Sequence, residues 1–360
     1  MDRRERLRRC FFHEELDRPA VNVRTGFPAD DPTYDTLKAY LQAHTELKRG
    51  WSVGTLSGYP SRSFVEPVSE DFDRAVTVLP TPKGELRASY RRSRKGHPGM
   101  PETYFVKSAA DAEAYLSLPP PTLLAPDVSG FFAVDREVGD RGIVEVGLGS
   151  NPGGWTAELC GSETFAILSI ERRDLLHALC ERRQQAMLLG LKYLLSKGVG
   201  PYFAFLGQEY VAPPLHGRRD FCDFNMRYDQ AIVDTIHEAG GRVHIHCHGG
   251  IKSVFQDFVK LGVDVLHPCE PPPLGDLPAA TAKAMAGSRL TIEGNIQIHR
   301  LYEGTPADVR AEIEALIRDA FGDRRGLIVC PSASPYMRGE GERSWPQFKA
   351  MIDTVLAYRG

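Results

Sequence analysis

Gly240-Gly241-Arg242-Val243-His244-Ile245-His246-Cys247-His248-Gly249-Gly250 is the stretch on which the fold turns. The first glycine pair stops a helix that reads back to about Cys222. Arg242 to Cys247 then has the length and β-branched character of a short strand. Successive side chains in a strand alternate faces, so His244, His246 and His248 point one way and Cys247 the other. Two imidazoles at i and i+2 on a strand end can reach one metal ion, and Gly249 and Gly250 free the backbone to turn there.

The same unit recurs outward from this stretch. Leu188, Leu191 and Leu195 share a helical face, which Leu194 widens. Gly198 and Gly200 stop that helix, and Tyr202 to Leu206 reads as a strand. Downstream, a helix near Ile251 to Leu261 ends at Gly262 and leads to Val263 to His267. A further helix leads to Leu290 to Glu293. Another opens at Thr305-Pro306 with Asp308 in its first turn, ends at Gly322 and leads to Leu327 to Cys330. Such alternation over about 150 residues implies a parallel sheet with crossover helices.

Polar residues fall just after the strands: Gln208 and Glu209, His246 and His248, His267 and Glu270, Glu293, then Ser332. That placement predicts a (β/α)8 TIM barrel, which concentrates its chemistry at the rim. An open doubly wound sheet would carry a glycine-rich phosphate turn near its start. The nearest candidate, Gly147-Leu-Gly149-Ser-Asn-Pro152, has proline where the third glycine is needed, and there is no GxxxxGK[ST]. The first half is less regular. Residues 1–18 read as an arginine-rich helical segment and Ala20 to Val23 as a first strand. Residues 65–120 read as an excursion holding a β-hairpin: Ala75 to Leu79, a Pro82-Lys83-Gly84 turn, Leu86 to Tyr90. Pro119 to Pro121 leads back, and Ile143 to Val146 is a further strand. Residues 1–360 are read as a single barrel domain.

A chain of 360 residues, 42% hydrophobic and 25% charged, can bury a large core without covalent staples. A formal net charge of -3 gives no global field for nucleic acid or anionic membrane. No apolar run approaches the roughly 20 residues that span a bilayer. The arginine-rich stretch Met1 to Arg9 is not a secretory signal. Seven widely spaced cysteines, with no CxxC pair, argue for free thiols in a reducing cytoplasm. The basic clusters Arg3 to Arg9 and Arg91 to Lys95 lack interleaved aromatics and read as solvated faces.

Zinc is the leading candidate metal for His246 and His248, because a catalytic zinc takes three protein ligands and keeps an open position. The third ligand is open between Cys330, near the end of the last strand, and Glu209, Glu270 or Glu293. Glu209 and Glu270 are also the candidate general bases. Prolines in His267-Pro268-Cys269-Glu270-Pro271-Pro272-Pro273 would hold Glu270 rigidly over a site. His244 and His267 are candidates for binding an anionic small-molecule substrate.

These residues together resemble the uroporphyrinogen decarboxylase superfamily, which also holds zinc-dependent corrinoid methyltransferases. The resemblance runs from Arg3-Arg4-Glu5-Arg6 and Asp17-Arg18-Pro19 to the C-terminus. It is best at Gly207-Gln208-Glu209-Tyr210, Pro213-Pro214-Leu215, His246-Cys247-His248-Gly249, Gly294-Asn295-Ile296 and Gly304-Thr305-Pro306. The methyltransferases carry H-x-C-G, so His248 stands where their cysteine would be, which keeps a ligand but replaces thiolate with imidazole. Ala333 occupies the position of their second cysteine, with Cys330 three residues earlier. On the decarboxylase side Arg24 matches the arginine of the first strand end, and would pair a substrate carboxylate. The second arginine and the F-S-D-I-L aspartate are missing. The resemblance therefore implies a metal-assisted methyltransferase that uses a corrinoid supplied by a partner protein. A decarboxylase of a tetrapyrrole or other polycarboxylate is the alternative, and a non-catalytic ligand-binding barrel the second alternative. It also permits a homodimer.

Overall fold

A computed structural model of the chain describes residues 1–97 and 99–359. Two short strands come first, β1 (Ala20–Val21) and β2 (Leu47–Trp51). Four follow in the excursion: β3 (Arg62–Pro67), β4 (Phe72–Thr81), β5 (Gly84–Ser93) and β6 (Met100–Thr103). The remainder are β7 (Gly142–Ser150), β8 (Tyr202–Leu206), β9 (Arg242–His246), β10 (Val265–His267), β11 (Thr291–Ile296) and β12 (Leu327–Pro331). Leaving the excursion aside, eight strands pair in parallel in the order β1-β12-β11-β10-β9-β8-β7-β2. Each strand lies beside its neighbour in the chain, which is the TIM-like arrangement expected.

The ladder breaks at one seam, between β1 and β2. There Glu46 N–H donates to Val21 O at 3.0 Å, and Val21 N–H donates to the Glu46 carboxylate at 2.7 Å. Crossover helices such as Arg173–Ser196, Arg227–Glu238 and Pro306–Ala320 cover the outside. Val243, Ile245 and Cys247 of the β9 stretch are fully buried in the core. Fully burying a valine or isoleucine side chain contributes about 1.5–3 kcal/mol. The N-terminal helix Arg3–Phe11 closes the barrel floor, with the Phe11 ring 5.0 Å from Tyr202 and 6.5 Å from His244.

Four expectations need correction. The first helix ends at Phe11 rather than near residue 18, because His13 turns into the left-handed region (φ 57°). The chain then folds back so that Asp17 pairs with Arg6. The helix expected from Ile251 begins at Phe255. The hairpin is the centre of a four-stranded antiparallel sheet, in the order β3-β4-β5-β6, with Thr81 opposite Gly84 across a Pro82-Lys83 turn. And β2 was not expected at all, since Leu47-Lys48-Arg49-Gly50-Trp51 lacks the apolar alternation of a strand. Among the described residues no helix is long and apolar enough to cross a membrane.

Candidate active site

The barrel encloses a cavity of about 360 Å³ at its C-terminal mouth, lined by Arg24, Lys48, Glu145, His244, His246 and Glu293 among others. Its floor is a buried charge cluster. Lys48 Nζ lies 3.1 Å from Glu145 and 2.6 Å from Glu293. Burial opposes the ammonium charge, but the two carboxylates more than offset it and hold Lys48 above its ordinary range. Burial likewise opposes charge on both carboxyls, and Lys48 with His244 outweighs it and holds them below theirs. His244 Nδ1 donates to Glu145 at 2.9 Å, since a carboxylate only accepts. His244 Nε2 is buried without a hydrogen-bond partner, 3.7 Å from Glu293 Oε2.

His246, at the end of β9, is held by a relay. His267 Nε2 is 3.1 Å from Pro331 O, and a carbonyl only accepts, so His267 carries its proton on Nε2. His267 Nδ1 is therefore the acceptor for His246 Nδ1–H at 2.8 Å. This assigns the lone pair of His246 to Nε2. The two rings are nearly parallel (19°), with centroids 5.0 Å apart. Burial lowers both pKa values and keeps both rings neutral, and the positive field of Arg24 acts in the same direction. Arg24 Nη1 is 3.3–3.4 Å from the His246 ring nitrogens.

His248 sits beyond the strand, its ring 4.6 Å from that of His246 and almost perpendicular to it. Its Nδ1 lies 3.1 Å from Glu270 Oε2, which also accepts from Gly249 N–H at 2.9 Å. Gly249 has φ +93°, a conformation that favours glycine, so the turn read from the sequence is real. Both histidines thus have Nδ1 committed to an acceptor. A histidine oriented through its other nitrogen is the usual setting of a metal ligand.

Glu209 follows β8 in a short turn, after Gly207 (φ +106°). Its Oε2 is buried with no partner, and burial raises its pKa. The turn is anchored from below. Gln208 Nε2 donates to Asp229 at 3.1 Å, and Asn151 Nδ2 lies 3.0 Å from both Asp229 oxygens. Burial pushes the Asp229 carboxyl up to about 7.

The structure brings most of the sequence candidates to one mouth but changes several roles. His244, His246 and Arg24 line the cavity as expected. His267 is fully buried behind His246 and positions it rather than meeting substrate. Glu270 lies 3.1 Å from His248 Nδ1 and accepts from the Gly249 amide, so it holds the loop in place. Cys330 does not join the histidine pair. It is buried in the barrel interior, where Glu293, Lys48 and Arg24 are its charged neighbours, and burial pushes its thiol well up. Among the described residues no three His, Cys, Asp or Glu side chains stand close enough, as placed, to hold a metal ion. His246 and His248 have Nδ1 committed, and a Glu209 oxygen and His244 Nε2 are further ligand-type atoms buried without a partner.

Sequence reasoning missed Lys48, the Asn151–Asp229–Gln208 network, and Asn22, which lines the cavity and whose Nδ2 donates to Glu293 at 3.4 Å. It also passed over Glu145, although a lone acid inside Ile143-Val144-Glu145-Val146 is a legible signal of an inward-facing charge.

A sequence model of the family described as "Uroporphyrinogen decarboxylase (URO-D)" matches residues 149–338, more than half of the chain and all of β8 to β12. The chain belongs to the uroporphyrinogen decarboxylase family. A methyltransferase from Methanosarcina mazei shares the fold of this URO-D protein over 99% of this chain and 100% of that one, with TM-score 0.64 and 14% identity. A B12-independent methionine synthase from Shewanella sp. W3-18-1, in complex with selenomethionine, covers 67% of this chain and 70% of that one at 12% identity and TM-score 0.47. No curated protein matches the chain.

Proposed function

We propose that this URO-D protein is a metal-assisted methyltransferase that moves a methyl group between a corrinoid, carried by a separate protein, and a small thiol or other acceptor bound in the barrel mouth. The observation that carries the proposal is the bonding of the paired imidazoles. His246 and His248 each have Nδ1 engaged, by His267 and by Glu270, which leaves Nε2 for a ligand, on His246 in exchange for the 3.4 Å contact with Arg24 Nη1. His246, His248 and Glu209 would hold the metal, and Glu209 has a buried oxygen without a partner. A zinc ion there supplies Lewis acidity that lowers the pKa of a thiol acceptor.

The chain's own residues supply the rest. Arg24 faces the cavity with His246 as its only side-chain hydrogen-bond partner among the described residues, so its guanidinium is free to hold an anionic group of the acceptor. The carboxylates beside Lys48 use up that second cation, which leaves Arg24 as the anchoring charge. A cavity of about 360 Å³ lies near the small end of ligand pockets, about 300–1,000 Å³, and suits a small acceptor inside with a bulkier donor presented from above. The Methanosarcina neighbour, a methyltransferase by its description, is in keeping with this reading.

The test is metal content by elemental analysis of the purified protein and of three variants, with methylcobalamin and a panel of thiols as the assay. The wild type is expected to hold about one zinc per chain. His246→Ala/His248→Ala should hold none, Glu209→Gln should hold it more weakly, and Cys330→Ala should be unchanged. Equal metal in wild type and the double variant would sink the metal reading. Metal-loaded protein that passes the methyl group of methylcobalamin to none of the thiols would sink the methyl-transfer reading. The free Arg24 also suits a carboxylate substrate, so the second reading is decarboxylation, checked by release of carbon dioxide from porphyrinogens and small polycarboxylates. Ligand binding with neither activity would leave the barrel as a binding protein.

A further inference from the structure

The barrel has a second cavity, and the seam makes it. β1 and β2 are tied where Val21 and Glu46 exchange hydrogen bonds, and no ladder runs on from there. Beside this gap lies a cavity of about 210 Å³, with Asn22, Val23 and Thr25 on the β1 side and Leu47, Lys48 and Arg49 on the β2 side. Helix Asp35–His44 and the end of helix Ser129–Val138 complete its walls. Asn22, Thr25 and Lys48 also line the catalytic cavity, so these three residues form the partition between the two.

The walls and charges of the seam cavity select one kind of occupant. Val23, Phe27, Leu47 and Val138 give it an apolar body. Lys38, Lys48, Arg49 and Arg141 line it against a single acid, Glu137. Three of these cations are already spent. Lys48 lies between Glu145 and Glu293, Lys38 pairs with Asp35 at 2.9 Å, and Arg49 pairs with Glu137 at 3.3 Å. Arg141 donates to the Glu137 and Val138 carbonyls of its own chain segment, and among the described residues it has no carboxylate partner. A guanidinium with donors to spare matches a carboxylate in a two-pronged contact. The apolar walls favour a hydrocarbon chain beside that head group. The volume lies below the about 300–1,000 Å³ of pockets for drug-sized ligands, which suits one flexible chain better than a ring system.

We propose that the seam cavity is a second binding site, for a straight-chain monocarboxylate, with the chain against Leu47 and Val138 and the carboxylate on Arg141. A ligand there lies against Asn22 and Lys48, whose side chains reach Glu293 on the catalytic side of the partition.

Titration of the full chain with octanoate, followed by calorimetry and methyl NMR, tests this. An Arg24→Ala background removes the anion anchor of the catalytic cavity. Octanoate is expected to bind there as it binds the wild type, shifting the methyl signals of Leu47 and Val138. Arg141→Ala should weaken binding about tenfold. Arg141→Lys keeps the charge without the fork and should fall between the two. Octanol, with the chain but no charge, should bind the wild type as weakly as octanoate binds Arg141→Ala. Thermal melts confirm that each variant is folded. Octanoate that needs Arg24, that shifts neither methyl signal, or that binds Arg141→Ala as tightly as the wild type overturns the proposal. So does octanol that matches octanoate. No metal or methyl donor enters the experiment, so its outcome is independent of the methyl-transfer reading.

Discussion

Lys48 holds together the floor on which everything else in the cavity rests. One ammonium, 4% exposed, lies between two buried carboxylates, Glu145 and Glu293, with His244 beside them. Replacing it by methionine removes the ammonium that bridges both acids and leaves their charges facing each other, with His244 alone beside the two. Breaking a buried pair in this way costs about 3–5 kcal/mol. The sign with pH follows from the carboxyls. In the wild type both are held below their ordinary range, so their contribution is present above the unfolded value, about 4.3 for a glutamate, and is lost as pH falls through the folded value. Without Lys48, burial and the repulsion between the two acids favour the protonated forms, opposed by His244 and, at Glu293, by Arg24. Urea unfolding should therefore show Lys48→Met to be less stable by about 3–5 kcal/mol near neutral pH, with the gap closing toward about pH 4. A deficit that is the same at both pH values would mean that Lys48 acts through packing and not through its charge. The same reasoning shows why one residue class misled the sequence reading. His244, His246 and His267 are alike on paper, but the first and second line the cavity while the third is spent on orienting the second.

Three elements meet at Asp229: the N-terminus of helix Pro152–Cys160 through its cap Asn151, the turn after β8 through Gln208, and helix Arg227–Glu238, which bears Asp229 itself. Asn151 is the hinge of the set, since its Oδ1 accepts from Gly154 N–H at 2.8 Å while its Nδ2 reaches Asp229. The Asp229 carboxyl, raised to about 7 by burial, binds a proton in the folded state that the unfolded chain releases near pH 4. Between those values the native state holds more protons, so this group makes stability fall as pH rises, up to a plateau above about 7. Asp229→Asn keeps an acceptor for Asn151 and Gln208 and removes the titration. Thermal melts from about pH 4 to about pH 8 should show a flatter profile for the variant, the difference amounting to a few kcal/mol at most. A parallel pair of profiles would show that Asp229 is charged or neutral throughout. None of this was legible beforehand, because Asn151 and Asp229 are 78 residues apart and each reads alone as an ordinary surface residue. What was legible were the elements whose two faces differ. In β9 apolar residues face the helices and histidines face the barrel, so alternation alone placed the strand and its polar side. In β2 the inward face carries Lys48, which made the strand look like a charged loop, and the missed strand took the cavity floor with it.

Barrel closure is where local sequence says least and the whole molecule decides most. The sheet of eight strands has no β-ladder between β1 and β2, and Glu46 stands in for it. Its backbone donates to Val21 O, and its carboxylate accepts from Val21 N–H at 2.7 Å, from Arg6 at 2.6 Å and from Arg18 at 2.7 Å. The side chain is fully buried, and so is most of Arg6. Arg6 belongs to the helix that closes the barrel floor and also grips Asp17 at 2.8 Å, so one carboxylate ties the N-terminal helix, the first strand and the second strand into the same joint. Burial opposes the Arg6 charge, yet Asp17 and Glu46 together raise its pKa, the mark of a cation whose partners repay its desolvation. Glu46→Ala therefore does three things at once. It strips Arg6 and Arg18 of a shared counter-charge inside the protein, orphans the Val21 amide, and leaves a cavity at the seam. The first alone costs about 3–5 kcal/mol, and an unsatisfied buried amide adds about 1–3 kcal/mol. Much of a domain's usual margin of about 5–15 kcal/mol would go. Glu46→Gln is the informative comparison, because it keeps an acceptor for the amide and removes the charge. Chemical denaturation should rank wild type above Glu46→Gln above Glu46→Ala. Hydrogen exchange should show the extra loss of protection first at Val21 and along β2, where the seam opens, and later in β9. Equal protection loss around the whole barrel would mean that the seam has no separate weakness and that closure is cooperative without Glu46.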